Sequence, residues 1–146
     1  MKKIINITLA TLIFILGAKS VSAQSDNWKN KTKSTLEKIF ELSKKGDYKT
    51  AADYFVNTSS DPAKKYNVTY NFTNRKEKSK VKRNCKKIKA YLDLSDSFEY
   101  AGFQKKKIDG IERYIVNVKF KSGNQALNIS FNFIKLNGKF VLADFG

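Results

Sequence analysis

From Trp28 onward the apolar and small positions recur every three or four residues, at Thr32, Leu36, Ile39, Phe40 and Ser43, with lysines between them. That spacing predicts an amphipathic helix over Asn27 to Lys45. Gly46 closes it, and Asp47 is a good N-cap for a second helix carrying Tyr48, Ala51, Ala52 and Phe55 on one side, before the breaker Thr58-Ser59-Ser60-Asp61-Pro62. The period then falls to two. Tyr66, Val68, Tyr70 and Phe72 alternate with polar neighbours and predict a short half-buried strand. A third helix follows from about Lys76 to Leu94, because Val81, Cys85, Ile88 and Leu92 fall on one stripe. The remainder reads as strands over Ser97 to Lys107, Ile111 to Lys121, Gln125 to Leu136 and Lys139 to Phe145, separated by Asp109-Gly110, Ser122-Gly123-Asn124 and Asn137-Gly138. Short turns make sequential strands pair. The expected class is α+β: three N-terminal helices, with a short strand between the second and third, packed on a curved antiparallel sheet of four to five strands.

Ahead of the first helix, Lys2 and Lys3 precede an apolar run from Ile4 to Ala18, and Val21-Ser22-Ala23 supplies the small residues that signal peptidase accepts. The run is short of the roughly 20 residues that span a bilayer. Residues 1–23 are therefore expected to be a cleaved signal peptide, with 24–146 a single domain that is secreted or periplasmic and has no stable transmembrane segment after processing. Composition sharpens the picture. The 146 residues include 29 Lys and Arg against 13 Asp and Glu, a net charge of +16, and the leader removes only Lys2, Lys3 and Lys19. Strong positive charge survives processing and favours weak attraction to polyanions or an anionic membrane surface. There is no His and one Cys, so the common zinc sites, a Ser-His-Asp triad and a disulfide framework within one chain are excluded. No metal, cofactor or catalytic residue is assigned.

Two stretches carry a family resemblance. Lys45-Gly46-Asp47-Tyr48-Lys49-Thr50-Ala51-Ala52-Asp53-Tyr54-Phe55 is similar to the helix-two signature of small secreted bacterial members of the nuclear transport factor 2-like, or cystatin-like cone, superfamily. Phe131-Asn132-Phe133-Ile134-Lys135-Leu136-Asn137-Gly138-Lys139-Phe140-Val141-Leu142 is similar to their final hairpin. The resemblance covers Trp28 to Gly146 and implies a cone-shaped sheet whose open end holds a small apolar ligand or becomes a dimer surface. Members include isomerases, dehydratases, binding proteins and secreted proteins without known activity, so the fold does not fix the function. The superfamily's enzymes place His, Asp, Tyr or Arg inside the cone. Here the inward strand faces are almost wholly apolar, which argues against catalysis.

These residues support three functional readings. The first is an exported, non-enzymatic protein that binds a small apolar ligand or a protein partner, with homodimerisation through the sheet, and with Tyr66, Tyr100, Tyr114, Phe131 and Phe133 lining the cavity. The second is an envelope polyanion binder, taking lipopolysaccharide, teichoic acid or nucleic acid through Lys78, Lys82, Arg83, Lys86 and Lys87 of the basic third helix. The third is an isomerase or hydrolase using Tyr and Asp, with Asp53 beside Tyr54, or Asp93 and Asp96, as the carboxylates to consider.

Overall fold

The computed structural model describes residues 20–146, with side chains from Asn27 onward. Most of the expected leader thus lies outside the described residues. Helix α1, Ser20–Lys45, buries Thr32, Leu36, Ile39, Phe40 and Ser43, the stripe that the spacing marks out, and also Leu42, which that spacing leaves out. Its end is sharply defined. Gly46 takes φ 72°, Asp47 N–H donates to the Leu42 carbonyl at 3.0 Å, and Gly46 N–H donates to that of Ser43 at 3.3 Å. These are the two bonds of a Schellman cap, and the left-handed residue they need is a glycine.

The second helix is much shorter than the pattern predicts. Helix α2 is one turn, Tyr48–Ala51, capped by Asp47, whose Oδ1 accepts from Thr50 N–H at 3.2 Å, and a 3-10 turn over Ala52–Tyr54 finishes it. The chain then extends at Phe55. The cause is non-local: Val56 N–H donates to the Leu142 carbonyl at 3.0 Å, so Phe55 and Val56 run beside the last strand. The strand expected over Tyr66 to Phe72 does not form at full length, and what remains of it pairs with this same segment. Only a strip survives there, with Asn57 N–H bonded to Val68 O, Tyr70 N–H to Phe55 O, and a single bridge of Val56 to Thr69. Tyr66 sits at φ 61° after a turn based on Asp61, which breaks the alternation at its first residue.

Helix α3, Arg75–Asp93, starts where Asn74 Oδ1 accepts from the amides of Lys76 and Glu77, and it buries Val81, Cys85 and Ile88. Strands β1 (Ser97–Ile108), β2 (Ile111–Ser122), β3 (Gln125–Leu136) and β4 (Lys139–Phe145) form one antiparallel sheet in chain order, with no fifth strand among the described residues. Asp109-Gly110 and Asn137-Gly138 both take positive φ, the backbone of type I′ hairpin turns.

One sheet face carries Tyr114, Val116, Val118 and Phe120 of β2, Ile129, Phe131 and Phe133 of β3, and Phe140 and Leu142 of β4. These pack on α1 and α3 as the main core. At one corner the reverse face is also covered, where Val56, Ile134, Val141 and Ala143 gather under Tyr66. A bulge between the β3–β4 pairs Asn132–Asp144 and Phe133–Leu142 leaves Ala143 unpaired. The extra residue reverses the facing of the last residues of β4, so Phe145 returns to the main core, stacked 5.4 Å from Phe131, and Asp144 faces away beside Asn132.

Candidate functional site

The aromatic residues expected to line a cavity are spread over different environments. Phe131 and Phe133 are fully buried in the main core. Tyr114 packs against Trp28 and Phe140 with its hydroxyl donating to Glu112 at 2.8 Å, and Tyr100 stacks on Phe103 with its hydroxyl donating to Glu37 at 3.2 Å. Burial first, then the facing glutamate, pushes both phenols up from their ordinary value. Tyr66 lies across the sheet in the second cluster, so the structure does not bring it together with the other four.

The carboxylates considered for acid-base work are also apart. Asp93 pairs with Lys89, and Asp96 Oδ2 accepts from Gly123 N–H at 2.8 Å, which ties the end of α3 to the β2–β3 turn. Asp53 and Tyr54 line an open cleft of about 620 Å³ between α1 and the β3–β4 hairpin, with Ser34, Lys139 and Phe140 among its other walls. Its lining mixes single charges with apolar and hydroxyl groups and presents no convergent set. Among the described residues no three His, Cys, Asp or Glu side chains gather as a metal site, and no helix is long and apolar enough to cross a membrane.

The basic helix is more informative. With 3.6 residues per turn, its cations fall on two flanks either side of the buried stripe. Lys78, Lys82 and Lys86 occupy one, and Lys80, Arg83 and Lys87, with the neutral Asn84, the other. Lys78 Nζ lies 5.2 Å from the centre of the Phe72 ring and Lys82 Nζ 5.9 Å from that of Tyr48. The five residues singled out by sequence therefore do not form one patch. Arg83 and Lys87 belong to a different surface from the other three.

On the second flank, α3 faces the end of β4 across a cleft of about 410 Å³. Lys80, Arg83, Asn84 and Lys87 form the helix wall, Thr58 and Tyr70 close one end, and Ala143, Asp144 and Phe145 form the strand wall. The two lysines are positioned by rings: Lys80 Nζ sits 5.9 Å from the Tyr70 ring centre, and Lys87 Nζ 5.2 Å from that of Phe145 and 5.8 Å from that of Tyr91. Tyr70 is itself fixed, because its oxygen accepts from Thr58 N–H at 3.3 Å and lies 2.9 Å from Thr58 Oγ1. Among the described residues Lys80, Arg83 and Lys87 form no ion pair, and neither do Lys78, Lys82 and Lys86 on the other flank; what sets the first three apart is that they line a concave site.

The single acid of the lining is Asp144. Its Oδ1 accepts a short hydrogen bond from Asn132 Nδ2, and its Oδ2 lies 3.9 Å from Arg113 Nη1, too far for a hydrogen bond. Arg113 is 5% exposed, stacks at 4.6 Å over the Tyr66 ring, and leaves that Nη1 without a hydrogen-bond partner. Sequence reasoning missed Asn84 and left Lys80, one of the helix's basic residues, out of the five it singled out, although a helical projection from Arg83 and Lys87 contains both. It had no route to Thr58, Tyr70 or Asp144, which reach the cleft only through the tertiary fold. No protein-family model and no curated protein matches the chain.

Proposed function

We propose that this protein binds small phosphate- or sulfate-bearing molecules in the cleft between α3 and β4. The observation that carries the reading is the convergence of three cations without acid partners, Lys80, Arg83 and Lys87, on one concave site that also offers the Asn84 amide and the Thr58 hydroxyl. Charge-assisted hydrogen bonds from such groups are the stronger ones, and guanidinium geometry suits a phosphate in particular. A net charge of +16 adds a long-range field that draws anions toward the surface. The volume lies near the lower end of the roughly 300–1,000 Å³ typical of small-molecule pockets. It fits a headgroup-sized ligand better than a polymer. The buried packing of Phe131 and Phe133 lends less support to an apolar cavity.

The cone-fold resemblance stays part of this proposal. Three helices followed by a four-stranded meander support it, while the strand between the second and third helices is reduced to one bridge.

The test is calorimetry with inorganic phosphate at low salt on two variants that lose the same charge. Arg83→Gln/Lys87→Gln is expected to weaken binding by at least about tenfold, since one hydrogen bond to a charged group contributes roughly 1.5–3 kcal/mol. Lys78→Gln/Lys86→Gln, on the opposite flank, should bind as the parent does. Equal losses in the two variants would mean that the whole helix acts as a diffuse polyanion surface.

A further inference from the structure

Among the described residues five large apolar side chains are well exposed, and three of them, Leu94, Phe98 and Leu127, belong to one end of the molecule. Phe98, Phe120 and Leu127 stand side by side on the core face of β1, β2 and β3, as one cross-strand row. Tyr91 of α3 covers the middle of that row, 5.6 Å from the Phe120 ring centre. Its outer members lose their cover because the neighbouring elements stop short. The last paired residue of β4, Phe145, lies opposite Phe131, which leaves Leu127 49% exposed, and α3 ends at Asp93, which leaves its C-cap Leu94 76% exposed. Asp96 N–H then donates to the Lys121 carbonyl at 2.8 Å and brings the chain back to the sheet at this same end.

The apolar end continues the basic flank. Lys80, Arg83, Lys87, Tyr91 and Leu94 follow one another along α3 at steps of three and four, so they share one side of the helix. At 1.5 Å per residue, Leu94 lies about 10 Å beyond Lys87. The acids at this end already have partners: Asp93 pairs with Lys89, Glu99 with Lys121, and Asp96 accepts from Gly123 N–H. A second copy of the chain is a poor occupant, because two molecules of net charge +16 would meet with their basic flanks alongside. A phosphate-bearing surface with an apolar layer about 10 Å beneath it matches both parts.

Resting on the anion-binding reading above, we infer that the phosphate taken by the cleft is a lipid headgroup and that the protein docks end-on to an anionic bilayer. Leu94, Phe98 and Leu127 enter the boundary of the acyl chains, while Lys80, Arg83 and Lys87 meet phosphates at the headgroup level.

The experiment is sedimentation at about 0.15 M salt with phosphatidylcholine vesicles, with and without phosphatidic acid, beside calorimetry with inorganic phosphate. The parent should sediment only with the vesicles that contain phosphatidic acid. Leu94→Ser/Leu127→Ser should weaken that partitioning by at least about tenfold, and Leu94→Ser alone by about threefold, since fewer apolar groups leave water. Both variants should bind inorganic phosphate as the parent does, which also shows that they fold. Ile108→Ser removes an equally exposed apolar group beside the β1–β2 turn, at the other end of the sheet, and should change neither measurement. Vesicle binding undiminished in Leu94→Ser/Leu127→Ser, or equal sedimentation with both kinds of vesicle, overturns the inference. So does a parent that binds phosphate but no vesicle, which assigns a soluble ligand, or a parent dimer that the double serine variant dissociates, which gives the apolar end to a second copy. Absence of phosphate binding in the parent, or phosphate binding undiminished in Arg83→Gln/Lys87→Gln, overturns the underlying anion site instead.

Discussion

Glu77 shows how one side chain can tie a loop to a helix. Its residue is 8% exposed, its Oε2 accepts from Asn71 N–H at 2.6 Å, and its Oε1 accepts from Lys64 Nζ at 3.0 Å. Burial alone would push the carboxyl up, but the Asn71 amide and the Lys64 ammonium outweigh it and hold it below the ordinary 4.5. A carboxyl lowered in the folded state adds stability that is complete above its unfolded value and is lost as pH falls through the lower folded one. Urea melts from pH 7 to pH 3 should therefore show a loss of stability below about pH 4.5 that is smaller in Glu77→Gln, and that variant should be less stable at pH 7 by about 1–3 kcal/mol. Identical pH slopes in the two proteins would contradict this role. Cys85 illustrates the opposite environment. Burial pushes its thiol up, with the Ser43 hydroxyl only partly opposing, and the residue is fully enclosed. A thiol reagent should leave it unmodified in native buffer and react with it on unfolding. Rapid native labelling would show that this stripe of α3 opens.

At the level of elements, the positions that could be read from spacing are those whose partners are supplied by periodicity itself. Val81, Cys85 and Ile88 define α3, and alternation with Asn-Gly or Asp-Gly turns defines β2, β3 and β4, because one face of each must be dry. The stretch from Tyr48 to Phe72 misleads for a non-local reason. Val56 finds its hydrogen bond on Leu142, 86 positions away, a contact that draws Phe55 and Val56 out of the helix and beside β4, where they also pair with the remnant of the expected strand. The same limit applies to the site. Arg83 and Lys87 are visible as charges, but Phe145 comes beneath Lys87 only because the Ala143 bulge reorients the end of β4. The α1 cap gives a local check. Gly46 holds φ 72°, and an added methyl group would meet nothing nearer than Tyr48 at 3.8 Å, so Gly46→Ala should cost about 1–2 kcal/mol through backbone strain alone. A melting temperature unchanged by this substitution would show that the cap does not constrain the helix end.

For the whole molecule, the long-range field and the local cleft make different contributions, and salt separates them. The field should attract any anion weakly and be screened within about 8–10 Å at physiological ionic strength. The cleft should keep a preferred position for the anion after screening. β1, an edge strand of the sheet, carries a bulge after Tyr100 and three consecutive lysines, Lys105 to Lys107, features that discourage strand addition there. The most direct measurement is a phosphate titration of the isotopically labelled protein, followed by amide NMR at about 0.15 M salt. The account predicts saturable shifts confined to Lys80 through Lys87, Thr58 and Asp144–Phe145. Small, non-saturating shifts spread evenly over the lysine-bearing surfaces would contradict it.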